Sequence, residues 1–153
     1  MRMRFVWVGK TKDRRIAELE SEYLRRISHY YACDVAVARP ARGGSAAECL
    51  AKEGDEINKR VGPGAYTVLL DSGGDMMDTA GFARWIGSLG DGRTREVVFV
   101  VGGHLGIDPR LLASARRSLS LSKMTFTHEL CRVLLLEQIY RACTILNGIP
   151  YHK

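Results

Sequence analysis

The chain has 153 residues, 46% of them hydrophobic, enough to fill one core of ordinary size, so a single domain over 1–153 is expected. Its apolar residues come in short bursts broken by Gly, Asp and Arg, none near the roughly 20 residues that a membrane-spanning helix needs. The formal charge is +6, which permits a polyanionic partner without requiring one.

Met1 to Lys10 is too short in apolar residues for a secretory signal, and a cytoplasmic location is expected. Cys33, Cys49, Cys131 and Cys143 stand singly, with no Cys-x-x-Cys pair and no Cys/His cluster at zinc spacing, so no metal site is expected. Three of them fall in helical patterns, where a free Cys behaves as a small buried hydrophobe. From His104 to Lys153, seven Lys/Arg oppose three Asp/Glu, which concentrates the positive charge in the last third.

In chain order, Met3 to Val8 reads as a strand ending at Gly9. From Asp13, Ile16, Leu19, Tyr23, Leu24, Ile27 and Tyr30 recur at helical spacing. Cys33 to Ala38 is a second strand. Ser45 with Glu48 forms a capping box that opens a helix to about Val61. After the Gly62-Pro63-Gly64 turn, Tyr66 to Leu70 is a strand ending at Asp71. A third helix starts near Asp78 or Thr79 and presents Phe82, Trp85, Ile86 and Leu89. Val97 to Val101 is apolar on both faces, as a central strand of a parallel sheet is. Asp108-Pro109 caps a short helix to about Ala115, Ser118 to Leu121 is a short strand, and the last helix spans about Glu129 to Leu146 before Asn147-Gly148. Five strands alternating with five helices predict an α/β fold, a mainly parallel sheet with helices on both faces. Ligands of such sheets bind outside the carboxyl ends of strands, which singles out the loops 71–78, 102–108 and 122–127.

Two of these loops carry unusual residues. Gly102-Gly103-His104-Leu105-Gly106 suits either a tight strand-to-helix turn or close approach of a ligand to the backbone, and it matches neither a dinucleotide fingerprint nor a P-loop. Ser120 to Thr127 mixes hydroxyl, cationic and apolar groups that could hold an amphiphilic cofactor; the alternative is a plain capping loop with Thr127 as cap. The last helix is apolar at Leu130, Val133, Leu134, Ile139, Ala142, Ile145 and Leu146, with Leu135 and Leu136 widening the stripe. That breadth fits a subunit interface or burial within the domain. Arg132 and Arg141 read as rim charges or partner contacts. The tail Pro150-Tyr151-His152-Lys153 is either frayed or able to stack on a base and meet a phosphate.

Together these residues resemble the RlmH group of the SPOUT superfamily, methyltransferases acting on N3 of a pseudouridine in large-subunit ribosomal RNA. The resemblance runs in order through Tyr23-Leu24-Arg25-Arg26, Val68 to Asp71, Phe99 to Gly103 with Gly106, Leu119 to Ser122 with Met124-Thr125, and His128 with Leu130 and Arg132. It closes with Glu137 to Ala142 and Pro150-Tyr151-His152. It implies a C-terminal trefoil knot, a homodimer, S-adenosyl-L-methionine as cofactor and 23S rRNA in the assembled ribosome as substrate. By motif match it puts Leu70, Gly103, Ser122, Lys123, Met124, Thr125, Phe126 and Thr127 around the cofactor. His128, Tyr151, His152 and Lys153 would face the target base or its phosphates, the tail reaching the partner subunit's site. Thr127 stands where the family usually has Pro, and Lys153 where other members can carry Arg.

Methylation of an imide nitrogen needs its proton removed and the nitrogen aligned with the methyl group, and by chemistry alone His128 and His152 are candidate bases. Two rivals remain open from the residues: a non-catalytic RNA-binding module, and a SPOUT enzyme of another specificity such as ribose methylation.

Overall fold

A computed structural model describes residues 1–92 and 94–151. Strands and helices alternate as β1 (Arg2–Val8), α1 (Arg14–Ile27), β2 (Ala32–Ala38), α2 (Ala46–Asn58), β3 (Tyr66–Met76), α3 (Thr79–Asp91), β4 (Glu96–Val101), α4 (Pro109–Ser114), β5 (Arg117–Ser120) and α5 (His128–Leu146). Each helix begins at a side chain that accepts from an otherwise orphaned N–H. Asp13 serves α1, Ser45 and Glu48 form the reciprocal box of α2, Asp78 serves α3, Asp108 with Pro109 behind it serves α4, and Thr127 serves α5.

The strands form a sheet in the order β2-β1-β4-β3-β5, parallel at every pairing. Alternate side chains of the central strands feed two cores. Met3, Phe5, Trp7, Val97, Phe99 and Val101 meet Ile27 of α1, Phe82 and Ile86 of α3 and Leu135, Leu136 and Ile139 of α5. On the other face Val6, Val8, Val98 and Val100 meet Ile57 of α2 and Leu111 of α4. Connections that step one way along the sheet use α1 and α3 and those that step the other way use α2 and α4. A single handedness of crossover requires that division.

Most boundaries shift slightly from the periodicity, and β3 shifts furthest. β3 does not stop at Leu70 but runs to Met76, and Leu70 and Asp75 both pair with Leu119, so residues 71–74 loop out between two stretches of one ladder. Gly74 permits it, because a Cβ there would lie 2.7 Å from backbone atoms of Ser118 and Leu119. α2 closes at Asn58, its last carbonyls taken up by turns through Val61, and α5 begins one residue early, at His128.

The broad apolar stripe of α5 has its explanation within the chain. α5 lies between α1 and α3 against the sheet, and Leu135, Leu136, Ile139 and Ala142 are fully buried there. Leu130 and Leu146 stay exposed. Among the described residues no helix is long and apolar enough to cross a membrane.

Candidate active site

β5 lies at one edge of the sheet, yet the first turn of α5 sits beside the exit of β1, where Glu129 accepts from the N–H groups of Lys12 and Asp13 at 2.8 and 3.3 Å. Residues 121–127 must therefore cross the carboxyl ends of β3 and β4 to join them. Beneath that crossing is a cavity of about 440 Å³, walled by the segments 70–72, 102–107 and 119–127, with His128 and Cys131 at its base. β3 leaves toward α3 on one face and β4 toward α4 on the other, which opens the crevice that open α/β sheets use for ligands.

Leu70, Gly103, Ser122, Met124, Thr125, Phe126, Thr127 and His128 all line this cavity. Lys123, in the middle of the same loop, is exposed and is not part of the lining. Tyr151 lies elsewhere, on the flank of α5: its ring meets Tyr140 edge-on at 4.8 Å, the Arg141 guanidinium lies 4.8 Å from its centroid, and its hydroxyl donates to Glu137 at 3.3 Å. The structure thus does not bring Tyr151 to the cavity of its own chain. His152 and Lys153 lie outside the described residues.

The glycine loop is a tight turn and a cavity wall at once. A Cβ on Gly102 would be driven into the Gly106 carbonyl, Gly106 has a φ of 88°, and its N–H donates to the Gly103 carbonyl at 3.1 Å. Side chains are excluded there, which leaves bare backbone facing the cavity. The 120–127 loop is stiffened by its own hydroxyls: Ser120 donates to the Ser122 carbonyl at 2.9 Å, and Ser122 accepts from the Met124 N–H at 3.0 Å. Thr127 caps α5 through the Leu130 N–H at 3.3 Å. Leu70, Leu119, Leu121, Ile107 and Phe126 supply apolar walls between these polar groups. That mixture and volume suit a molecule with a flat ring, hydroxyls and a charged end, such as an adenosyl amino acid.

Arg132, one turn below His128, is neither a rim charge nor an exposed contact, as its charge had suggested. It is fully buried, and it donates to the Val8 carbonyl and to Thr11 Oγ1, both at 2.8 Å. Thr11 donates in turn to Glu20 at 2.7 Å, and the guanidinium lies 5.7 Å from the centroid of the Trp7 ring. This network fastens α5 to β1 and α1. Burial pushes the His128 imidazole below its ordinary pKa, and the Arg132 charge pushes the same way, so His128 is neutral at neutral pH and able to accept a proton. Burial raises the Cys131 thiol, which keeps it protonated and a poor nucleophile.

Asp71, Ser72, His104 and Cys131 also line the cavity and were not singled out individually from the sequence. The first three lie in loops marked by the strand-end rule. Cys131 follows His128 by three residues, a spacing that puts both on one helical face.

A family model described as "Predicted SPOUT methyltransferase" matches residues 1–152. The ribosomal RNA large subunit methyltransferase H of Geotalea daltonii is 42% identical over 152 residues, 99% of each chain, and that of Trichlorobacter lovleyi is 41% identical over the same share. A probable methyltransferase from Bordetella pertussis superposes with a TM-score of 0.59 at 13% identity over 93% of this chain and 94% of that one. A probable methylase family protein from Haemophilus influenzae gives the same TM-score at 7% identity, over 95% of this chain and 66% of that one. The two solved structures carry likeness of fold alone, whereas the family match and the relatives span nearly all of the sequence: the chain belongs to the SPOUT methyltransferase family, in the group of ribosomal RNA large subunit methyltransferase H.

Proposed function

We propose that this protein transfers a methyl group from S-adenosyl-L-methionine to N3 of a pseudouridine in 23S rRNA of the assembled large subunit, and that it works in the cytoplasm as a homodimer. The observation that carries this reading is the strand-end cavity, whose walls are the loops that the resemblance assigns to the cofactor, in a chain about 40% identical over 99% of its length to rRNA methyltransferases.

When bound, the donor supplies an electrophilic methyl group on a sulfonium. Leu70, Gly103, Ser122, Met124, Thr125, Phe126 and Thr127 would hold it, the apolar members excluding water and the bare backbone of the glycine loop offering donors and acceptors without side-chain obstruction. Lys123 is oriented for solvent or RNA. His128, kept neutral by burial and Arg132, is available to accept a proton at a ring nitrogen, and nearby cations would stabilise the deprotonated ring. Lys10, Lys12, Arg39, Arg42, His104 and Lys123 are exposed, on loops leaving the carboxyl ends of β1, β2, β4 and β5, where they suit RNA phosphates.

The distance of Tyr151 from its own cavity supports a tail that serves the second subunit. In this reading Tyr151, His152 and Lys153 complete the partner's substrate site, and the crossing of 121–127 over the sheet ends is part of the expected trefoil knot. Calorimetry with S-adenosyl-L-methionine should show binding by the full chain, and mass mapping should find one methyl missing from 23S rRNA of cells lacking the gene. Removing residues 151–153 should lower single-turnover methylation on the order of 100-fold, with donor affinity within threefold. Unchanged turnover removes the tail from the mechanism, and a chain that does not bind the donor refutes the reading.

A further inference from the structure

Glu53 lies on the inner face of α2 and is 3% exposed. One carboxylate oxygen, Oε1, accepts from the Ala41 N–H at 3.0 Å. Among the described residues the other, Oε2, has no hydrogen-bond partner, and no Lys, Arg or His nitrogen pairs with either within 4.0 Å. Its surroundings are fixed. A Cβ added to the next residue, Gly54, would lie 2.7 Å from Asp108 Oδ2, and one added to Gly103 would lie 3.5 Å from Glu53 Oε2 and 3.8 Å from Oε1. Gly103 is a wall of the cavity. Only the thickness of a glycine backbone therefore separates a buried, unpaired carboxylate from the occupant of that cavity.

The neighbouring buried carboxylate shows what ordinary structural duty looks like. Asp108 caps α4 through the Arg110 N–H at 2.8 Å and is neutralised by the Arg110 guanidinium at 2.6 Å. Among the described residues Glu53 has no such cation, and a glutamine would accept the Ala41 bond equally well without a charge to bury. A buried charge left unpaired is costly, and its cost is offset when a cation enters the adjacent cavity.

We propose that Glu53 is a specificity-determining residue that favours a cationic occupant, the sulfonium donor, over the neutral thioether left after methyl transfer. The proposal rests on the methyltransferase reading above. In the reaction the methyl group leaves sulfur for the deprotonated ring nitrogen and the C–S bonding pair stays on sulfur, so the cavity loses one positive charge. A fixed negative charge behind Gly103 then holds the donor and lets the product go.

The test is calorimetry of the full chain with S-adenosylmethionine, with sinefungin, which carries an ammonium at the sulfonium position, and with S-adenosylhomocysteine. Glu53→Gln should weaken the first two at least tenfold, the effect of one charge about 12 Å away at an effective dielectric of about 20 and a lower bound for a closer one, and leave the third within twofold. Glu53→Asp should keep the wild-type ratio. Equal loss for all three ligands, or no loss, overturns the proposal while leaving the methyltransferase reading intact. Should the Gln variant fail to fold, Glu53→Met, of similar volume and no charge, gives the same donor-to-product comparison. A wild-type chain that binds none of the three overturns both readings.

Discussion

His128 is where protonation, packing and the candidate chemistry meet. Its imidazole is held below the ordinary value of 6.5 by burial first and by Arg132 second, so on acidification the unfolded chain takes up that proton before the native one does. Stability contributed at this position is complete above pH 6.5 and is lost as pH falls toward the lower native value. His128→Asn should flatten the pH dependence of the urea midpoint below pH 6.5; a variant that keeps the wild-type slope would assign the acid sensitivity to other groups. The sequence made the cavity loops legible at this scale because strand ends and glycine clusters are local signals. Arg132 was not legible. An arginine in a helix reads as surface, and its burial depends on the Val8 carbonyl and Thr11, more than 120 positions away.

Elements were legible in type and order, since capping side chains and apolar periodicity act within a few residues. The extension of β3 was not, because Ser72-Gly73-Gly74-Asp75 has the composition of a loop and the strand resumes at Asp75 and Met76 only by pairing with β5. That second ladder depends on Gly74, whose missing side chain lets β3 lie on the backbone of Ser118 and Leu119. Gly74→Ala should destabilise the fold by about 1–3 kcal/mol, the usual cost of forcing atoms into filled space, and should increase amide exchange in β5 more than in β1. Uniform exchange across the sheet, or no loss of stability in urea, would show that the bulge can adapt.

At the level of the whole molecule, the two-faced parallel sheet follows from the alternation of elements, whereas the strand order and the position of α5 between α1 and α3 depend on contacts distant in sequence. Among the described residues, seven large apolar side chains leave apolar surface outside after folding. Leu130 at 39% exposure and Met124 at 74% are those on the segment that closes the cavity, so the proposed dimer contact is assigned there. Leu130→Asp should shift sedimentation from dimer to monomer while donor binding stays within a few-fold, and methylation should fall with the loss of the dimer. A variant that stays dimeric would move the interface to another face of α5.

The anchoring of α5 by Arg132 also bears on biogenesis. A guanidinium near residue 132 that satisfies a carbonyl at residue 8 means that the oldest strand waits for the youngest helix during translation. Until that helix leaves the ribosomal tunnel, the aromatic face of β1 is covered only by α1 and α3 and the ligand crevice lacks His128 and Cys131, so the cavity is complete only once α5 has docked.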